Sequence, residues 1–151
     1  MQLGHIPLAL SVATYDWNPK MAVFCLGAHF LPNADALVVK ARLAKPSFHC
    51  TVTHNLLFAL AVTGLVYLAA PHYAPFAFVA LSTHYLADLG STVGQPLLWP
   101  FSKRKFTLAL FEDTGYWGWK MYTGYYKQPM AWVLEGAVVA FFAYRLHAIS
   151  L

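Results

Sequence analysis

The chain's 151 residues are enough for one compact domain and not comfortably for two. Hydrophobic residues make up 59% and charged residues 11%, with a mean hydropathy of +0.50, which puts the chain on the membrane side of a soluble domain at about 45–50% apolar and about 25% charged. The net charge of +4 sits in short clusters beside apolar segments (Lys40, Arg42 and Lys45; Lys103, Lys105 and Arg104 between them), which suits lipid headgroups and argues against direct nucleic-acid binding.

Apolar segments run over 4–15, 20–39, 53–71, 74–91 and 129–147, and runs of this length read as helices rather than strands. The opening residues lack the basic start of a signal peptide, so the N-terminus is read as retained. DWNP (Asp16 to Pro19) reads as a tight turn with Pro19 at a first helical position, and PHYAP (Pro71 to Pro75) as a second turn. Segments two to five, at about 17–20 residues, are long enough to span a bilayer, whereas the first, at about 12, is short. The expected fold is therefore all-α: a polytopic membrane helical bundle of four transmembrane helices plus a short N-terminal helix, forming one domain over residues 1–151. The stretch 92–128 differs in character, with Lys103-Arg104-Lys105 followed by YWGWKMYTGYY (Tyr116 to Tyr126), and reads as an aromatic and basic interfacial linker or as a loop packed on the protein.

From Pro46 to Ala87 there is no Asp, Glu, Lys or Arg, yet this run holds four of the seven histidines and ends at Asp88. The 40–53 loop carries three basic residues and no acid, and the 92–128 linker carries five, so the positive-inside rule puts both on one, cytoplasmic, face. An up-and-down path then brings His5, Asp35, His49, His54, His84 and Asp88 to that same face. His84 and Asp88 are four apart and share a helix face, able to chelate a metal or to pair with each other. His49 and His54 straddle a loop-to-helix junction, with Thr51 or Thr53 as caps, and Asp35 reads equally as a ligand or a cap. Polar groups in a span are costly and usually mark function, and imidazole with carboxylate is a donor set for zinc and related divalent ions. His29, His72 and His147 are left out of the site. Glu135, within the last helix, is read as supporting the site from behind or as paired with Lys127. Cys25 and Cys50 give no disulfide framework, and Cys50, beside His49, is a ligand or a buried bystander.

Gly4-His5, LPNADA (Leu31 to Ala36), HCTVTHN (His49 to Asn55) and HYLADLGSTVGQPLLWP (His84 to Pro100) occur in the order of four family elements. Over residues 4–106 the chain resembles the YdjM-like family of LexA-regulated inner-membrane proteins, regarded as metal-dependent hydrolases. The resemblance implies a bacterial inner-membrane protein with a metal site at these His and Asp positions. By analogy with helical zinc phospholipases it also implies a phosphoester substrate. In the family's second element Asn33 stands for an Asp and Ala36 for a His, and Cys50-Thr51 stands for Arg-Gly in the third.

The function expected is a membrane-bound, metal-dependent hydrolase, in which metal-activated water attacks a phosphoester or similar bond at the membrane face. His5, Asp35, His49, His54, His84 and Asp88 would hold the divalent metal, zinc first among the choices. His49 or Asp88 would act as catalytic base, Asn33 and Glu135 would support the site, and Lys103, Arg104 and Lys105 would hold a lipid or anionic small-molecule substrate. The alternatives are a non-catalytic metal-binding membrane protein, for ion handling or regulation, a degenerate family member, and a bundle whose His and Asp merely pair.

Overall fold

The computed structural model describes residues 1–45, 48–115 and 117–150. Pro46, Ser47, Tyr116 (the first residue of the aromatic run) and Leu151 lie outside the described residues. Seven α-helical segments follow in chain order: α1 (His5–Ala13), α2 (Pro19–Phe30), α3 (Ala34–Lys40), α4 (Leu56–Ala69), α5 (Ala74–Asp88), α6 (Trp119–Tyr125) and α7 (Pro129–Ser150). A 3-10 turn at Leu31–Asn33 joins α2 to α3, so the pair runs as one helical unit over Pro19–Lys40.

The turn signals act locally as their chemistry dictates. Asn18 caps α2 by accepting from the Met21 N–H at 2.9 Å, with Pro19 in the first turn, where its missing N–H costs nothing. The expected cap at Thr51 or Thr53 is corrected: α4 starts later, at Leu56, and Asn55 is its cap, accepting from the Phe58 N–H at 2.9 Å. Asn55 also donates to the Thr51 and Val52 carbonyls at 2.9 and 2.7 Å, folding the preceding loop against its own helix. Thr53 is thereby freed for the carboxylate described below.

Helix α5 is the centre of the bundle, packing against α4, α2 and α1, while α1 also packs against α2 and α7. The contact faces use small residues: Ala9, Ala13, Ala59, Ala77, Ala80 and Ala131 are fully buried. Small side chains let helix backbones approach closely, the packing mode of helices in lipid, where apolar surface gains nothing from being hidden. Many large apolar residues face outward, with Val23 71% and Leu68 82% exposed, while four histidines among the described residues are buried. Such a distribution is an aggregation liability in water and the expected one in a bilayer.

Among the described residues, two helical units, Pro19–Lys40 and Pro129–Ser150, have the length and composition of membrane spans. At 22 residues each they reach about 33 Å, which matches a hydrocarbon core of about 30 Å. The expectation of four spans is met only in part, because α4 and α5 have 14 and 15 residues, short of the about 20 that a straight crossing needs. Both are short for a physical reason. The apolar runs spend their ends on turns and on the polar junctions at Asn55 and Asp88, rather than on further helix.

Residues 89–115 form an irregular cap on the site end. Isolated bridges pair Ser91 with Phe111 and Gln95 with Phe106, and the Leu56 N–H donates to the Leu97 carbonyl at 2.9 Å, tying the cap to the start of α4. The opposite end is closed by other groups: His72 meets Asp16 at 2.7 Å, and Arg145 donates to Thr14 at 3.0 Å with its guanidinium over the Tyr15 ring.

Asn55 makes three bonds where Asn18 makes a cap and one further contact with the Asp16 carbonyl. Asn55→Ala is therefore expected to cost about 2 kcal/mol and Asn18→Ala about 1 kcal/mol. Thermal denaturation of both variants in one detergent tests this, and equal losses would show that the loop bonds contribute nothing.

Candidate metal centre

Four helix ends and one loop supply the site. His5 opens α1, His29 lies in the last turn of α2, Asp35 in the first turn of α3, His49 and His54 in the loop before α4, and His84 and Asp88 in the last turns of α5. Helix direction produces this convergence, since α1 and α4 start at the end where α2 and α5 finish. His5, His29, His54, His84 and Asp35 are buried, whereas the Asp88 side chain is 21% exposed.

The direction of each imidazole follows from what its other nitrogen touches. A carbonyl only accepts, so the 3.0 Å contact of His29 Nδ1 with the Ala80 carbonyl makes that nitrogen a donor. Neutral His29 then accepts at Nε2, which fixes His5 Nδ1, 2.8 Å away, as the donor. The other nitrogen of His5, Nε2, lies 3.1 Å from Asp88 Oδ1, donating to it when the ring carries a second proton and turning a lone pair to it when the ring is neutral. On the other side, Thr53 Oγ1 donates its single hydrogen to Asp35 Oδ2 at 2.7 Å and so accepts from His54 Nδ1 at 2.9 Å. His54 therefore turns a second lone pair, on Nε2, toward His84 Nε2 at 3.3 Å and Asp88 Oδ2 at 3.9 Å.

His84 completes the knot. Its Nε2 is 3.2 Å from Asp88 Oδ2, and its Nδ1 is buried with no hydrogen-bond partner among the described residues. Nitrogens of His5 and His54 and the Asp88 carboxylate thus crowd one imidazole, with the Met1 ammonium 3.6 Å from Asp88 Oδ1, and few protons separate them while the rings are neutral. A cation relieves that conflict. Two overlapping groups, His5 with His29 and His84, and His54 with His84 and Asp88, have ligand atoms within 4.8 Å of one another and could hold a metal ion. The donor set, neutral imidazole with one carboxylate, fits zinc and its neighbours.

Asp35 sits differently from Asp88. It meets His49 Nδ1 at 2.6 Å, and its Oδ2 accepts from the Cys50 N–H at 3.0 Å and from Thr53. It is a buried carboxylate surrounded by donors, and it orients His49 and, through Thr53, His54. Cys50 reaches it with a left-handed φ of 58°, which costs a non-glycine residue about 1–2 kcal/mol. Burial, then the charges of Asp88 and Asp35, raise the Cys50 thiol well above its ordinary range, so it stays protonated near neutral pH and is a poor ligand.

Residues 4–150 match the YdjM inner membrane protein family. The chain belongs to this family. No curated protein and no solved structure matches it. For a YdjM family protein the surrounding solvent is the bilayer, so the buried polar knot lies in the setting where such groups are hardest to keep without a purpose.

Of the other residues singled out in the sequence, Lys103 and Lys105 line a cavity of about 530 Å³ together with His49 and Asp88. Arg104 does not line it; its guanidinium lies over the Phe106 ring at 5.5 Å. Asn33 and Ala36 line a second cavity, of about 490 Å³, which His5, His49 and Asp88 also border. Glu135 is buried outside both ligand groups, where it accepts from the Gln2 N–H at 2.9 Å. Gly4 packs so closely on it that a Cβ there would come within 2.9 Å of Glu135 Oε2. Glu135 thus anchors the start of α1, and with it His5, to α7. Sequence reasoning missed His29. The available signal was helix direction, because His29 lies less than two turns before Asp35 on a segment running toward the site end.

Replacing Asp35 by Asn keeps the size of the side chain but removes the charge that holds His49 and His54. Asp35→Asn is expected to weaken retention of an added divalent metal ion by about 10–100-fold, as loss of an orienting partner does elsewhere. Chelator competition on the detergent-purified protein measures this, and unchanged retention would show that Asp35 does not set the ligand directions.

Proposed function

We propose that this YdjM family protein is a membrane-bound, metal-dependent hydrolase of phosphoester or closely similar bonds. The observation that carries the reading is the pair of overlapping groups, His5 with His29 and His84, and His54 with His84 and Asp88, whose ligand atoms in each lie within 4.8 Å of one another. His5, His54, His84 and Asp88 are assigned as the residues that hold one divalent cation, zinc being the ion this donor set fits best, with Asp35 orienting His49 and His54 from behind. A cation bound there would supply Lewis-acid polarisation and a lowered pKa for a water molecule.

The chain's own residues perform the remaining work. His49 and Asp88 border both cavities, so both face the space a substrate can enter. With Nδ1 held by Asp35, the His49 ring is the general base that takes a proton from the attacking water. A P–O bond then forms to that water and the P–O bond to the leaving alcohol breaks, the alcohol departing with the proton that His49 took from the water. Lys103 and Lys105 hold the anionic phosphoryl group in the larger cavity. Arg104 is assigned to the surface, where it contributes attraction to anionic lipid rather than a direct contact.

The setting proposed is the bacterial inner membrane, with the metal site toward the cytoplasmic face. The Lys40–Lys45 cluster and the five basic residues of 92–128 support that orientation. In this reading α4 and α5 complete four crossings by using their flanking turns and local thinning of the bilayer. A non-catalytic role has one observation in its favour. Asn33 and Ala36, which replace an Asp and a His of the family pattern, both border the second cavity. The chain is therefore read as holding one ion rather than two.

Elemental analysis of the purified protein should find about one zinc per chain, lost in both His84→Ala and Asp88→Ala. His49→Ala should keep the metal while phosphoester turnover falls about 10²-fold or more. Metal present with no turnover of any phosphoester would favour the binding role. No metal even after zinc loading would overturn the hydrolase.

A further inference from the structure

Gln95 is a buried side chain that the site above does not use. It is 2% exposed, and both Oε1 and Nε2 are buried with no hydrogen-bond partner among the described residues. Its backbone, by contrast, is fully engaged. The Gln95 N–H donates to the Phe106 carbonyl at 2.8 Å, and the Gln95 carbonyl accepts from the Phe106 and Leu97 N–H groups at 2.9 and 3.0 Å. Gly94, at φ 68°, turns the chain into this bridge, and a Cβ at that position would come within 3.0 Å of the Phe106 carbonyl oxygen. The position is thus rigid while the amide is unspent. A buried amide with neither bond made is costly, and native proteins keep such groups for a reason.

Gln95 lines the 530 Å³ cavity whose wall also includes His49, Asp88, Lys103 and Lys105. We propose that Gln95 is a substrate-reading residue in this cavity, and that the substrate is a phosphoester whose head bears neutral hydroxyl groups, as a glycerol phosphate does. The proposal rests on the hydrolase reading above and deepens it. The chemistry follows from what an amide can answer. A phosphate only accepts and leaves Oε1 unpaired, an ammonium only donates and leaves Nε2 unpaired, and a pair of neighbouring hydroxyls satisfies both. The lysines provide the positive charge for a single phosphoryl group. Glu112 and Asp113 line the same cavity and accept from hydroxyls while repelling a second phosphate. The Trp99 ring and Val93 give an apolar surface for the carbon skeleton.

The head could belong to a lipid or to a free phosphoester, and two binding arms separate these sources. In one, the full-length protein in phosphatidylcholine nanodiscs is titrated calorimetrically with sn-glycerol 3-phosphate and with inorganic phosphate. In the other, native mass spectrometry compares phosphatidylglycerol with phosphatidic acid. The protein should prefer the glycerol-bearing ligand in at least one arm. Gln95→Leu should weaken that ligand about tenfold, leave inorganic phosphate and phosphatidic acid unchanged, and not lower Tm, because an apolar group replaces an unpaired amide. Gln95→Met provides the same comparison should the leucine variant misfold. Lys103→Ala with Lys105→Ala should weaken all four ligands together. No preference in either arm, or a lowered Tm in the Gln95 variants with the preference intact, would overturn the proposal. Zinc is measured on the same samples. Its absence from the native protein would overturn the hydrolase reading, while a Gln95-dependent preference would still establish the binding site.

Discussion

An apolar chain in an apolar solvent gains little by hiding its hydrophobic side chains, so its order must come from elsewhere. Here it comes from a buried cluster of imidazoles and carboxylates that must be satisfied by one another or by a cation. His5, His29, Asp35, His49, His54, His84 and Asp88 come from five separate pieces of sequence, and each is held by an atom of another. Helix α1 has to begin where α2 ends, and the loop before α4 has to double back over Asp35, or these groups are left unpaired. The cluster thereby fixes helix order and register in a protein whose outer surface specifies neither.

The packing around the cluster follows from the same demand. His29 can reach the Ala80 carbonyl only because α2 and α5 approach over small residues, with Ala77 and Ala80 fully buried. His84 lies one turn beyond Ala80 on the same side of α5, so the approach that brings His29 to the carbonyl also brings the two rings to 5.0 Å. A larger residue at either alanine would push α2 away and leave His29 without the bond that sets its tautomer. The direction of the His5 lone pair would be lost with it.

The parts of the fold legible in the sequence were those governed by local chemistry. Asn18-Pro19 marked a helix start, the apolar runs marked helices, and the alternation of helix directions was enough to bring His5, His54, His84 and Asp88 to one end. What the sequence hid was which nitrogen or oxygen faces which neighbour. Asp35 and Asp88 look alike in the chain, and Thr53 looks like a cap. Only the extra turn of loop ending at Asn55 shows that Thr53 serves a carboxylate instead. His29 was hidden because a lone imidazole in an apolar helix has no spacing partner within its own segment. Its partner, His5, is 24 residues away. The membrane crossings were legible only in part, because hydropathy marks apolar runs and does not show where a helix starts or stops: α4 starts late, after Asn55, and α5 ends at Asp88.

The two carboxylates carry the last step of the synthesis. Asp35 is met by His49, the Cys50 N–H and Thr53, so its charge is already spent in holding the protein's own groups. Asp88 faces Nε2 of His5 and lies beside His54 and His84, partly open to both cavities. One carboxylate is saturated with donors and the other meets the Met1 ammonium at 3.6 Å and two imidazoles, although both lie at the ends of apolar helices in the same bundle. The saturated one is fitted to fix direction. The other turns its carboxylate toward a space that ligands can reach, where the imidazoles of His54 and His84 stand beside it. That asymmetry is what a bundle able to hold a metal ion at Asp88 requires.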